Sequence, residues 1–280
     1  MTATTAHFRA FSFVDRISAV QPGVNIRGNY AIPAGLTEFS SSLVAEATGQ
    51  LAAWSAMAAV DFQTRPVAGI AGLVEMLGPV HPGQTLELAA EIDSVDTEAV
   101  SYHGTASVNG APILRLHNCV GPMLPLADFD DPQAIRDRYA LLCGAGATPG
   151  AFGGTPALTL ENPGGEPGQS VRATLQVPTD APFFGDHFPR KPVFPGSLLM
   201  QFNLQLVAQL AAQLPPPAGA SGWKLEHVSD MKLRAFIPPG EVLELEVKLT
   251  GVEGNTATIT IESRRNKRPV GTARVTLVAT

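Results

Sequence analysis

The most constraining stretch of this chain is Phe183-Phe184-Gly185-Asp186-His187-Phe188-Pro189-Arg190-Lys191-Pro192-Val193-Phe194-Pro195-Gly196-Ser197, a loop of prolines and glycines that holds one imidazole and runs into an apolar segment. Pro189, Pro192 and Pro195 fix φ and push the residues before them toward extended geometry, so a helix starts near Gly196 and not earlier. From Ser197 to Leu214 there is no proline or glycine, and Leu198, Leu199, Phe202, Leu206, Leu210 and Leu214 recur at helical spacing. That pattern predicts a largely buried helix, with Gln201 and Gln205 sharing one face.

The rest of the composition narrows the class. At 280 residues and 45% hydrophobic content the chain can bury a large core, as one large domain or two of ordinary size. A net charge of −6 and a pI near 5.5 give no overall attraction to nucleic acid or to an anionic membrane. The local basic cluster Arg264, Arg265, Lys267 and Arg268 reads first as a charged hairpin tip that keeps an edge soluble, and second as a docking patch for an acidic partner. Two cysteines, Cys119 and Cys143, lack a CxxC partner, and the six histidines are scattered, so neither a metal nor another cofactor is expected. With no basic-then-apolar leader and no apolar run of about 18 residues, the expected location is the cytoplasm with reduced thiols.

Taken in order, His7 to Val20 is apolar around Asp15-Arg16, and a turn at Gln21-Pro22-Gly23 leads into a strand over Val24 to Ala31. Ser40, Ser41 and Ser42 offer N-cap hydroxyls to an Ala-rich helix over Leu43 to Trp54. Four β-like segments follow, Ala71–Leu77, Thr85–Ile92, Ala99–Val108 and Ile113–Val120, which suit an antiparallel meander. Residues 128–154 carry a short helical pattern and then Gly, Ala, Thr and Pro, which reads as a connection between domains 1–127 and 155–280. The second half repeats the first. Pro22-Gly23 is matched by Pro167-Gly168 at an offset of 145 (167 − 22), and Pro82-Gly83 by Pro239-Gly240 at an offset of 157 (239 − 82). The helices align at 155, Glu46 with Gln201, so about ten extra residues lie in the second copy, in the loop that holds His187.

These residues resemble the hotdog-fold 3-hydroxyacyl-[acyl-carrier-protein] dehydratases of fatty acid and polyketide synthesis. Phe183 to Pro189 followed by Pro192 to Gly196 carries the likeness most strongly, Met231-Lys232-Leu233-Arg234 and Pro239-Gly240 extend it, and Phe13-Val14-Asp15-Arg16 with Glu46-xxx-Gln50 carries a weaker match in the first half. The resemblance implies an α+β double hotdog: two tandem domains, each a long helix wrapped by an antiparallel sheet, paired about a two-fold axis. In that family each site takes its histidine from one hotdog and its carboxylate, fourteen residues further on in the motif, from the other. Position 201 is glutamine, which cannot donate a carboxylic proton, whereas Glu46 occupies the equivalent helix position of the first copy. One composite site, His187 with Glu46, is therefore expected.

Removing water from a 3-hydroxyacyl thioester needs a base for the α-proton, an acid for the departing hydroxyl and stabilisation of charge on the thioester oxygen. His187 suits the base. By resemblance, the carbonyl of Val193 would fix its tautomer. Glu46 suits the acid if an apolar helix interface keeps it protonated, with Gln50 bonded to it. A helix start, at Gly196 or at Ser41, would supply amide donors to the carbonyl oxygen. The implied partner is an acyl carrier protein bearing a 3-hydroxyacyl chain, with no nucleic acid and no membrane, and further homo-oligomerisation stays open. Two other readings compete: a degenerate double hotdog that binds acyl chains or partners an active dehydratase subunit, suggested by Gln201 and the missing first-copy loop, and a hotdog thioesterase, which would not need the His187 loop.

Overall fold

The computed structural model describes residues 7–280. In the first half, β1 (Arg16–Gln21) and β2 (Asn25–Ala31) form a hairpin, followed by helix α1 (Ser41–Ala59), the short β3 (Thr64–Pro66), β4 (Ile70–Met76), β5 (Thr85–Val95), β6 (Ala99–Val108) and β7 (Ala111–Pro125). Helix α2 (Pro132–Cys143) leads into the second half, made of β8 (Leu160–Gly164), β9 (Ser170–Gln176), helix α3 (Gly196–Ala211), β10 (Trp223–Leu233), β11 (Val242–Glu253), β12 (Thr256–Arg265) and β13 (Arg268–Ala279).

Local chemistry explains most boundaries. Ser40 caps α1 through its hydroxyl, which accepts from the Leu43 amide. Helix α3 begins where the proline run ends, with Pro195 at the cap, and a Cβ on Gly196 would press on the end of the Leu233 side chain, so glycine lets that side chain lie against the helix start. Asn109-Gly110 and Asn266-Lys267 sit at positive φ and close the β6–β7 and β12–β13 hairpins, which places the basic cluster at a hairpin tip. There Arg264 pairs with Glu262 at 2.6 Å and Arg265 donates to the Phe236 carbonyl at 3.2 Å.

All the strand pairings are antiparallel, and twelve strands follow one path: β1-β2-β5-β6-β7-β4-β10-β13-β12-β11-β9-β8, with β3 pairing β7 beside it. Read from either end, this order passes through a hairpin, three long consecutive strands and then a strand, β4 or β10, that in sequence lies between the main helix and those three. The two middle members, β4 and β10, join the halves through pairs such as Val228 with Val74. Here the structure corrects one expectation. Only β5, β6 and β7 form a meander; β4, the Ala71–Leu77 segment, pairs with the far side of β7 and not with β5. Alternating hydrophobicity defines a strand but not its neighbour, and the neighbour here comes partly from the other half.

Helix α1 lies across β2, β5 and β6, and α3 across β9, β11 and β12, with the two helices in contact. Small residues let α1 approach closely: a Cβ on Gly104 would press within 2.6 Å of the Thr48 methyl. Burying Leu43, Val44, Leu51 and Met57 on α1 and Leu198, Leu199, Phe202, Leu206 and Leu210 on α3 contributes roughly 1.5–3 kcal/mol per large side chain. The 128–154 connection is itself packed. Arg136 of α2 bonds Asp61 at 2.7 Å, Tyr139 meets Phe62 with ring centroids 5.3 Å apart, and Phe152 stands edge-on to Phe13 at 5.0 Å.

Candidate active site

The loop before α3 holds His187 from several sides. A single 3-10 turn, Pro182–Gly185, buries Phe183 and Phe184, and the His187 amide donates back to the Phe183 carbonyl at 2.8 Å. The Val193 amide donates to the His187 carbonyl at 2.9 Å, and the His187 Nδ1 lies 2.9 Å from the Val193 carbonyl. A carbonyl can only accept, so Nδ1 carries the hydrogen and Nε2 keeps its lone pair. Phe188 stacks on the imidazole at 4.3 Å and Phe11 approaches it edge-on at 5.9 Å. Asp186 closes the loop against the first half by accepting the amides of Phe8 and Phe11, the latter at 2.6 Å. Burial raises its carboxyl pKa, and those two amide bonds act against the rise.

From the opposite half, Glu46 stands in the second turn of α1. Gln50, one turn on, donates from Nε2 to Glu46 Oε1 at 3.0 Å and to the Phe11 carbonyl at 2.9 Å, while its Oε1 accepts the Phe13 amide at 2.8 Å. The Ser197 hydroxyl, on the first turn of α3, donates to Glu46 Oε2 at 2.7 Å. The two long helices therefore meet at one carboxyl group.

His187, Glu46, Gln50, Val193 and Gly196 all line one cavity of about 790 Å³, whose walls further in are apolar, among them Trp54, Met57, Val100, Leu116 and Met200. Burial lowers the pKa of His187, with Arg65 adding to the fall, while Glu46 and the Val193 bond oppose it. The imidazole is thus held toward its neutral form. Ser41, the other helix start considered above, does not reach this cavity: it lines a separate one of about 190 Å³ with Phe39, Val44 and Ile113. Gln201 lies at the helix–helix contact, where it accepts from the Ser40 hydroxyl at 3.2 Å and reaches Glu38 at 3.5 Å.

Four side chains of the cavity carry no sequence signal that placed them in a site. Ser197 is one polar position at the start of an apolar helix. Tyr102 and Cys119 are cross-strand partners on β6 and β7, and Gly49 makes room for the tyrosine hydroxyl, which a Cβ there would meet at 3.2 Å. Burial pushes the Cys119 thiol up to about 11. Arg65, on β3, is 14% exposed and stacks on Phe188 at 3.9 Å; burial lowers its pKa to about 10, against the pull of Asp130 and Glu46. Nothing in the local pattern Gln63-Thr64-Arg65-Pro66 marks it, because the strand pairing that turns it inward is nonlocal.

Among the described residues no group of three or more His, Cys, Asp or Glu is arranged to hold a metal, and no helix is long and apolar enough to cross a membrane.

Similarity to known proteins bears on the family and the fold. A family model described as ApeI-like dehydratase matches residues 165–270, the half that carries the histidine loop. The 3-hydroxyacyl-[acyl-carrier-protein] dehydratase FabZ of Lactiplantibacillus plantarum is 30% identical over 112 residues, covering 40% of this chain and 76% of the relative. The FabZ of Pediococcus pentosaceus is 30% identical over 113 residues, covering 40% of this chain and 75% of the relative. Among solved structures, an acyl-ACP thioesterase from Bacteroides thetaiotaomicron superposes with a TM-score of 0.53 at 14% identity over 90% of this chain and 97% of that one. A MaoC-like dehydratase does so with a TM-score of 0.52 at 13% identity over 92% of this chain and 98% of that one. At such identities the structural likeness speaks for the fold alone, which is the hotdog fold. With the relatives' identity and coverage, it follows that the chain belongs to the hotdog-fold 3-hydroxyacyl-[acyl-carrier-protein] dehydratase family.

Proposed function

We infer that this chain is a double hotdog, residues 1–127 and 155–280 joined by 128–154, that removes water from 3-hydroxyacyl thioesters on an acyl carrier protein at one composite site. The observation that supports this reading most is that His187 and Glu46, on opposite halves, line the same apolar cavity. The palindromic strand order supports the two-domain part of the reading.

The chemistry follows from the geometry. With Nδ1–H committed to the Val193 carbonyl, Nε2 of His187 takes the α-proton and the electron pair moves onto the thioester oxygen. The enolate then re-forms the carbonyl as the Cβ–O bond breaks, and the leaving hydroxyl takes the Glu46 proton and departs as water. The products are a 2-enoyl thioester, imidazolium and the Glu46 carboxylate, and proton return from one to the other resets the site. Gln50 and Ser197 hold the two carboxyl oxygens, so Glu46 is oriented from both long helices. The amides at the uncapped start of α3, at Gly196, are the ones on this cavity to meet the carbonyl.

The competing reading, a catalytically silent acyl-binding partner subunit, is favoured by Gln201 and by the small second cavity without a histidine. One assay separates them. A panel of 3-hydroxyacyl chains of increasing length, on carrier protein and on coenzyme A, is incubated with the purified chain and followed by mass. Loss of 18 mass units with at least one carrier is expected; no turnover with any of them, alongside retained acyl binding, would favour the silent subunit.

A further inference from the structure

Arg65 is a charged group in the wall of the cavity with no role in the chemistry above. Its Nε is buried with no hydrogen-bond partner among the described residues, and the Asp130 carboxylate stands 4.0 Å from its terminal nitrogen, beyond hydrogen-bond length. Asp130 is already engaged, accepting from His7 at 3.1 Å and from the Asp131 amide at 2.7 Å. A guanidinium carries five donors, and burying it without partners costs several kcal/mol unless something returns them. Its face is occupied by Phe188, the same ring that stacks on His187, which puts Arg65 one ring away from the imidazole. Glu46 is near enough to act on its charge as well.

Two groups that are cationic after α-proton transfer, Arg65 and the His187 imidazolium, then line one largely apolar cavity. Such an arrangement favours an anion in the cavity they share, and the anion the reaction creates there is the enolate oxygen. Resting on the dehydratase reading, we propose that Arg65 is a further catalytic residue of this site, a cationic donor that joins the α3 amides at the thioester oxygen as negative charge develops on it. The same charge acts on the base: the ionisable groups bearing on His187 are Glu46 from α1, which favours imidazolium when it is a carboxylate, and Arg65 from β3, which opposes protonation. It thus serves both ends of the first step, holding the imidazole neutral before the proton moves and meeting the oxygen afterwards.

The test compares the full chain with Arg65→Met and Arg65→Lys, measuring kcat, KM and the pH profile of kcat/KM on a 3-hydroxyacyl thioester that the parent chain dehydrates. Arg65→Met is expected to lower kcat about 100-fold or more, the scale of one lost oxyanion donor, with KM within about threefold. Its acid limb moves to higher pH, because removing the cation eases protonation of His187. Arg65→Lys keeps the charge, so it holds its acid limb and recovers at least about tenfold of the lost kcat. Should the Met variant fail to fold, Arg65→Gln, polar but uncharged, carries the same expectation. A kcat for either neutral variant within about threefold of the parent overturns the proposal. So does a loss that the lysine variant shares in full with no movement of the acid limb, or failure of both neutral variants to fold, since each means Arg65 acts as packing against Phe188. A parent chain inactive on every carrier instead removes the dehydratase reading, and this inference with it; an active parent with an indifferent Arg65 removes the inference alone.

Discussion

The Glu46→Gln substitution isolates the proton from the geometry. Glutamine has the same shape as glutamate, and both contacts survive it: the amide oxygen still accepts from Gln50 Nε2, now at 3.0 Å, and the amide nitrogen donates to Ser197 Oγ across the present 2.7 Å if that hydroxyl turns from donor to acceptor. Exchanging one hydrogen-bond polarity while keeping both partners costs within about 1 kcal/mol of stability. That corresponds to a Tm change of no more than about 4 °C for a chain of this size. Catalysis responds differently, because an amide has no proton to give the leaving hydroxyl. A positioned general acid contributes typically 10²–10⁴-fold. At 1.36 kcal/mol per factor of ten, this is about 3–5.5 kcal/mol of barrier. The decisive assay pairs kcat/KM on the best substrate of the panel, read as 2-enoyl product by mass, with a thermal melt of the same preparation. A fall of at least about 100-fold with Tm nearly unchanged is expected. Activity within about threefold of the parent, in a variant that melts where the parent does, would refute the role given to Glu46 and with it the composite site.

Other expectations follow from the same contacts. His187→Ala abolishes 2-enoyl formation while circular dichroism and melting stay those of a folded chain, since the loop is also held by the Phe183, Phe184 and Asp186 contacts; measurable turnover would return the base to another group. Gln201→Ala changes kcat/KM by less than about threefold, because its bonds run to Ser40 and Glu38 at the helix contact; a large loss would mean that the active and silent sites are reversed. Burial lowers the His187 pKa, and only the neutral imidazole is a base, so activity persists as pH falls through the ordinary histidine value near 6.5 and is lost only below it; an acid limb above 6.5 in the pH–kcat/KM profile contradicts the burial argument. Cys119, whose thiol burial pushes to about 11, resists iodoacetamide at pH 7.5 in the folded chain while the exposed Cys143 reacts, as peptide mass mapping would show.

Much of this architecture is written in local chemistry. Three prolines end the histidine loop and start α3, leucine spacing marks its buried face, Ser40 opens α1, and paired glycine turns place the hairpins. The loop motif also carried the family likeness and the histidine itself, because those residues are contiguous and their geometry is set by their neighbours in the chain. What local chemistry left undetermined is everything that depends on a partner distant in sequence. The strand at Ala71–Leu77 has a pattern that fits any edge, and only the assembled sheet put it beside β7 and against β10 of the other half. Gly196 and Ser41 are equivalent as helix starts until packing gives them different cavities. Ser197 acquires its carboxylate from a residue 151 positions away, and Arg65 turns inward on a three-residue strand held by β7. Periodicity reports which face a residue presents, whereas a site needs to know what that face meets, and that is settled by the long-range closure of the sheet around the two helices.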